Sequence, residues 1–254
     1  MLDSTPLKDK VALVTGAGRN IGRAIALALA DAGASVAVNV STSVDQGKRV
    51  ADEIAARGAG ALLVAADVTN RTAVDAMIAA ITAQFGRLDI LVNNAAVRNE
   101  VAFAELSYAD WRTVQAVCVD GAFHCTQAAL PLLRASAPAT VINIGGLTAY
   151  TGASNRAHVV TAKAALGGLT RALAHELAEL GITVNCVAPG MIETTRDGAS
   201  AAIHPAHHAD RKILLGRRGL PDEVASAVVW LASPGGRFTT GQTLHINGGA
   251  YLGG

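Results

Sequence analysis

Neither sign of charge dominates this 254-residue chain: 21 basic residues stand against 20 acidic ones, a formal net charge of +1. Proteins that bind nucleic acid or anionic membrane concentrate Lys and Arg, so neither partner is expected. Cysteine is scarce too. Cys118, Cys125 and Cys186 are odd in number, far apart and set in apolar sequence, which excludes a disulfide framework and suits buried thiols in a reducing compartment. Met1 to Lys10 carries Asp3, Lys8 and Asp9 and lacks the apolar stretch of a secretory signal, so a cytoplasmic protein is expected. The longest uncharged run, Ala135 to Asn155, is broken by Pro138, Asn143, Gly145 and Gly146 and does not read as a membrane span. His204, His207 and His208 lie close together, but Pro205 interrupts them and no carboxylate or thiol has matching spacing, so no metal is expected.

What the chain does have is apolar sequence, 51% of its residues, and 26 glycines. Disorder is excluded, and a sizeable core is required. Short apolar runs at Val11 to Val14, Ser35 to Val40, Ala61 to Ala65, Asp89 to Val92, Thr140 to Ile144, Thr183 to Val187 and Thr243 to Ile246 read as strands. Being apolar throughout, they suit a sheet covered on both faces. Between them run stripes of helical period: Ile21, Ala24, Ile25, Ala28 and Leu29; Val74, Met77, Ile78 and Ile81; Leu166, Leu169, Leu173, Leu177 and Leu180; and Val224, Ala227, Val228 and Leu231. The alternation predicts an α/β chain: one doubly wound, Rossmann-type domain over residues 1–254, with a parallel seven-stranded sheet and helices on both faces. Ligands in such sheets sit beyond the strand C-termini. The segment from about 190 to 219 has no sustained apolar stripe and follows a strand, and it reads as a lid over that crevice.

The first strand runs through Thr15-Gly16-Ala17-Gly18-Arg19-Asn20-Ile21-Gly22 straight into the first helical stripe. Glycines let the chain turn sharply and approach a ligand closely, and the free N–H groups of the following helix favour a pyrophosphate. Alone, such a turn is a weak signal. It is joined by Asp67-Val68, Asn93-Asn94-Ala95-Ala96, Asn185, Pro189-Gly190-x-Ile192-x-Thr194, and Gly241-Gln242 followed by Asn247-Gly248-Gly249. With these the chain resembles the short-chain dehydrogenase/reductase family from about Lys8 to Gly249. The resemblance implies that Gly16, Ile21 and Gly22 face a dinucleotide, Asp67 and Val68 hold the adenine, Asn93 and Ala95 line the cofactor strand, and Pro189, Gly190, Ile192 and Thr194 face the nicotinamide. Asn20 stands where the family has its middle glycine, and Asn tolerates positive φ better than most residues. No acid ends the second strand to accept from a ribose 2′-OH. Asn39, Ser41, Thr42 and Arg19 could instead take a 2′-phosphate, so NADP(H) is expected over NAD(H).

The resemblance further implies an Asn, Ser, Tyr and Lys tetrad. Only the lysine is present, as Lys163; the other positions fall on Cys118, Gly146 and Val159. Reducing a ketone creates an alkoxide that must receive a proton, and neither valine nor glycine supplies one. Tyr150 and His158 are the nearby candidates for a replacement acid. Three readings follow: an atypical NADP(H)-dependent oxidoreductase acting on a carbonyl, imine or enone, with a cationic iminium fitting well because it needs no acid; a non-redox enzyme on the same fold, doing elimination, decarboxylation or hydrolysis; or a silent nucleotide-binding or regulatory subunit. The resemblance also implies a homotetramer, built through the helices carrying Trp111 and Lys163 and through the C-terminal strand.

Overall fold

A computed structural model describes residues 5–195 and 212–253. Seven parallel strands form one sheet: β1 (Val11–Val14), β2 (Ser35–Val40), β3 (Ala61–Ala65), β4 (Ile90–Asn93), β5 (Ala139–Ile144), β6 (Ile182–Pro189) and β7 (Thr243–Ile246). Their order across the sheet is β3-β2-β1-β4-β5-β6-β7. The central strands β1, β4 and β5 are buried along their whole length, which is why their sequences lack polar alternation.

The helices are α1 (Asn20–Asp31), α2 (Val44–Ala56), α3 (Arg71–Phe85), α4 (Tyr108–Gln115), α5 (Gly121–Ala135), α6 (Thr148–Thr151), α7 (Ala157–Leu177) and α8 (Pro221–Ala232). One layer of core packs α1, α2 and α8 on the sheet through Ile25, Leu29, Val50, Ile54 and Val228; the opposite layer packs α3, α5 and α7 through Met77, Ile81, Leu133 and Leu177. The apolar stripes of α1, α3 and α8 thus face the sheet, as amphipathic helices require, whereas the buried face of α7 runs through Leu166, Thr170, Ala174 and Leu177 and leaves Leu169 half-exposed. Leu180, the last residue of the α7 stripe, falls in a 3₁₀ turn after the helix.

A π-helical turn, Ala116–Asp120, joins α4 to α5 in one continuous run. That run, Tyr108–Ala135, is long and apolar enough by length and composition to cross a bilayer, but it packs on α3 and α7. The order β3-β2-β1-β4 reverses direction at β1, so the loops after β1 and β4 diverge and open a crevice between them. The ends of the segment read as a lid are tied together beside that crevice: Ile192 bridges Gly219, with Glu193 N–H donating to Gly219 O at 2.8 Å and Gly219 N–H to Met191 O at 3.0 Å. Residues 196–211 of that segment, with His204, His207 and His208, lie outside the described residues.

Candidate active site

The turn after β1 is built for close approach. Gly16 has φ +62°, and a Cβ there would lie 2.9 Å from Ala95 Cα; a Cβ at Gly22 would lie 2.6 Å from Asn94 Nδ2 and overlap Gly16 O. The turn is held from below by two residues that spacing arguments do not single out. Thr15 Oγ1 accepts from the Asn94 and Ala95 N–H groups at 2.9 and 3.0 Å, and Asn94 Nδ2 donates to Thr15 O and Gly16 O at 2.8 and 3.0 Å. Helix α1 starts without a side-chain cap, which leaves its first N–H groups to a ligand.

Asn20 takes φ +50°, the left-handed conformation expected of it. It also does something the sequence did not suggest. Its Nδ2 donates to Thr195 O at 2.9 Å, while its Oδ1 accepts from Thr195 N–H at 2.9 Å and from Thr195 Oγ1 at 3.1 Å. The glycine turn is thereby latched to the segment after β6.

A cavity of about 500 Å³ runs along the strand ends. Gly16, Arg19, Asn20, Ile21, Gly22, Ser41 and Thr42 line one end; Pro189, Gly190, Ile192 and Thr194 line the side under the latch; Gly146, Val159 and Lys163 line the other end. Ser43, Gln46 and Asn94 join the wall. Gly190 is required by contact rather than by conformation, since a Cβ there would lie 2.6 Å from Asn247 Cα, and this ties the Asn247-Gly248-Gly249 segment to the cavity wall.

Several residues expected at the cofactor are outside the lining of this cavity. Asn39 is buried, donating to Ala66 O at 3.0 Å and accepting from Gly16 N–H at 3.4 Å, so it braces the turn and is not part of the cavity lining. Asn93 bridges Thr126 Oγ1 at 3.1 Å and Asn143 Oδ1 at 2.9 Å beneath the cavity. Asp67 accepts from Thr69, and Val68 packs under Gly121; with Ala95 they lie outside the lining.

At the far end Lys163 is buried on α7, its Nζ donating to Ile144 O at 2.6 Å. Burial pushes its ammonium below the ordinary lysine range, and the guanidiniums of Arg98 and Arg156 act in the same direction. Val159 packs with Val114, Cys118 and Ala162, which brings the Cys118 and Val159 positions together beside the π-helical turn. A Cβ on Gly146 would meet only Lys163 Cγ, at 3.8 Å.

Neither candidate replacement acid reaches this cavity. Tyr150 turns toward β7: its hydroxyl donates to Thr243 Oγ1 at 3.0 Å and its ring sits edge-on to His245, with centroids 4.5 Å apart. Burial raises its pKa, which is no help to an acid that faces the wrong way. His158 is fully buried and donates from Nε2 to Asn99 Oδ1 at 2.6 Å, with burial lowering its pKa. Nearness in sequence suggests both residues, but helical rotation and packing decide direction.

The cavity's charge is the feature sequence reasoning missed. Arg19, Arg98, Arg156 and Lys163 line it, and no Asp or Glu does among the described residues. Arg98 and Arg156 sit in the loops after β4 and before α7, so the rule placing ligands at strand C-termini was the signal that could have found them.

Fold and crevice together define a Rossmann-type dinucleotide-binding protein. Comparison with known proteins sharpens this. The sequence profile described as enoyl-(acyl carrier protein) reductase matches residues 16–251. The chain is 39% identical over 243 residues to a 3-oxoacyl-[acyl-carrier-protein] reductase of Staphylococcus aureus, covering 96% of this chain and 98% of that protein. It is 38% identical over 247 residues to the protein of that name from Vibrio cholerae, covering 97% and 99%. Among solved structures, a dehydrogenase/reductase from Sinorhizobium meliloti superposes with TM-score 0.90 at 36% identity, covering 98% of each chain. A short-chain dehydrogenase from Burkholderia cenocepacia in complex with NADP superposes with TM-score 0.88 at 35% identity, covering 96% of this chain and 99% of that one. The chain belongs to the short-chain dehydrogenase/reductase family of oxidoreductases.

Proposed function

We propose that this protein is an atypical NADP(H)-dependent oxidoreductase that exchanges hydride with a carbonyl, imine or enone substrate without the family's serine and tyrosine, Lys163 serving as proton donor. One observation carries the reading: the cavity is continuous from the glycine turn to Lys163, and among the described residues of its lining Lys163 is the one titratable group besides the arginines, with a pKa lowered by burial. Guanidiniums do not release their protons, and no His, Cys, Tyr, Asp or Glu lines the cavity among the described residues.

The residues present fit a dinucleotide. The glycine turn and uncapped α1 suit a pyrophosphate, and Arg19 with Ser41 and Thr42, in a wall without acids among the described residues, suits a 2′-phosphate. The NADP complex of the Burkholderia relative supports the same choice. Bound NADP(H) supplies the hydride. The chain's own groups do the rest. The segment Pro189 to Thr194, latched by Asn20, would hold the nicotinamide end; the Lys163 ammonium, held by Ile144 O in the same wall as Gly146 and Val159, would stabilise and then protonate an oxyanion on the substrate. The named activity of the 3-oxoacyl relatives makes a ketone the first class to test. With burial, Arg98 and Arg156 lowering the Lys163 pKa, and the Cys118 and Cys186 thiols opposing them, the rate of reduction falls with rising pH at values below those of an ordinary lysine.

The test mixes excess enzyme with 4-deuterated NADPH and a panel of ketones, enones and cyclic imines, and follows single-turnover deuterium transfer by mass spectrometry. Label in an alcohol, amine or saturated ketone, lost in Lys163→Met, is the expected result. Product formed without change in the cofactor's oxidation state would transfer the assignment to a non-redox enzyme. Absence of any turnover by an NADPH-binding protein would make it a silent subunit. We further propose a cytoplasmic homotetramer, supported by the exposed Tyr108, Phe123 and Leu252 on α4, α5 and the C-terminal segment; a monomer in micromolar sedimentation would overturn it.

A further inference from the structure

We infer that Asn20 is a positioning residue that holds the segment after β6 across the crevice as a strap, and that opening of its contact with Thr195 sets the rate at which the dinucleotide enters and leaves. This rests on the proposed function above for the identity of the ligand that passes the strap.

Three observations carry it. First, one end of the strap is fixed. Strand β6 ends at Pro189, and Ile192 then bridges Gly219. Glu193 N–H donates to Gly219 O at 2.8 Å, Gly219 N–H donates to Met191 O at 3.0 Å, and the Glu193 carboxylate meets Arg218 Nε at 3.1 Å. Met191 and Ile192 are buried, so this end belongs to the packed part of the domain.

Second, a single side chain fastens the strap again just beyond that point. The Asn20 amide uses both of its halves on one residue: Nδ2 donates to Thr195 O at 2.9 Å, and Oδ1 accepts from Thr195 N–H at 2.9 Å and from Thr195 Oγ1 at 3.1 Å. A side-chain amide that serves the N–H and C=O of one residue copies the pairing of a β-bridge, which a glycine at position 20 has no atoms to make. Third, the latch joins two walls of one cavity. Ile192, Thr194 and Thr195 of the strap line it together with Gly16, Asn20 and Gly22 of the turn. Thr195 is exposed and Asn20 half-buried, so the contact stands on the solvent side of that cavity, where a ligand enters.

The energetics suit a gate. Hydrogen bonds in reach of water contribute little each, so the latch opens far more readily than the core around Ile192. It is made of protein atoms alone, and it therefore favours the closed strap equally with and without a dinucleotide beneath. Weakening it raises the open population of both forms by one factor, which speeds entry and exit together and leaves the affinity where it was. A side chain that instead touched the dinucleotide would, on removal, speed exit alone and weaken binding.

The experiment follows NADPH fluorescence by stopped flow on the full chain, with association measured directly and dissociation by displacement with excess NADP⁺. Asn20→Gly keeps the left-handed turn without strain and removes the three hydrogen bonds. Both rate constants are expected to rise about 5- to 30-fold, with Kd held within about twofold. Thr195→Val removes the hydroxyl bond only and is expected to raise both by about 2- to 5-fold. The double variant is expected to match Asn20→Gly, because the hydroxyl has then no partner to lose. Hydrogen exchange at the Thr195 amide of the NADPH-free protein reads the same latch without ligand and is expected to quicken by the factor seen in the rates.

Faster exit with unchanged entry would make Asn20 a cofactor contact and overturn the gate. Faster amide exchange with unchanged NADPH rates would show a latch that gates nothing, and effects that add in the double variant would show that Asn20 does not act through Thr195; either overturns the inference. Failure of the wild-type chain to bind NADPH would sink the proposed function and the gate together. Binding with the expected rates but no hydride transfer to any substrate leaves the gate standing and sinks the redox reading alone.

Discussion

The double substitution Gly146→Ser with Val159→Tyr tests whether the cavity still presents a ketone correctly to the nicotinamide end. The serine costs little in packing, because a Cβ at position 146 meets only Lys163 Cγ, at the ordinary contact distance of 3.8 Å. The tyrosine replaces a valine that is 1% exposed and packed with Val114, Cys118 and Ala162, but its ring has the roughly 500 Å³ cavity to enter. A misfit of this kind costs about 1–3 kcal/mol. For a chain of this size that is about 2–12 °C in melting temperature, well short of unfolding at assay temperature. The new phenol would stand beside Lys163, with Arg98 and Arg156 near, and positive neighbours lower a phenol's pKa toward the working range of an acid catalyst. A positioned general acid contributes about 100- to 10,000-fold. Initial rates of NADPH oxidation with simple ketones at pH 7 should therefore rise at least about 100-fold over wild type, and Lys163→Met in the same background should cancel the gain. A folded, NADPH-binding double variant with no gain would refute the reasoning, because missing acid groups could then not be what limits the wild-type protein.

Other consequences follow from particular contacts. Asn20→Gly keeps the left-handed turn but removes the three hydrogen bonds to Thr195; losing about 1–2 kcal/mol of local anchoring should speed exchange of the Thr195 amide about 5- to 30-fold, read by hydrogen-exchange mass spectrometry. Gly22→Ala pushes a methyl into Gly16 O and Asn94 Nδ2, so NADPH affinity by fluorescence titration should fall at least about tenfold and the melting temperature by about 2–12 °C. Burial raises the Asp89 carboxyl, but hydrogen bonds from Arg87, Lys10 and the Val11 N–H outweigh it and hold its pKa below the usual carboxylate value. Its contribution is thus present above about pH 3.9 and lost as pH falls toward the lowered folded value. Urea denaturation should show Asp89→Asn less stable by about 1–3 kcal/mol at pH 7, with the gap closing on acidification.

Much of the architecture was legible in the residues because it depends on local pattern. Strands β1, β2, β3 and β7 fall where apolar runs end against turn residues; β4 is displaced by one residue, and β5 and β6 run longer than their runs, to Ala139 and Pro189, because pairing with neighbours extends them. Helix α2 shows no obvious stripe, since only Gly47, Val50 and Ile54 are buried on it at the sheet's edge. The π-helical turn at Cys118 leaves no periodic trace at all.

Periodicity and spacing alone thus determine the layers, the parallel sheet and the glycine turn, for these depend on which residues neighbour one another along a strand or helix. Only the tertiary structure decided where side chains point at the strand ends. It turned Tyr150 toward Thr243, buried His158 against Asn99, withdrew Asn39 beneath the turn, latched Asn20 to Thr195, and brought Arg98 and Arg156 from separate loops to Lys163. Those outcomes depend on contacts between segments far apart in the chain, and electrostatic fields add over space, not along sequence.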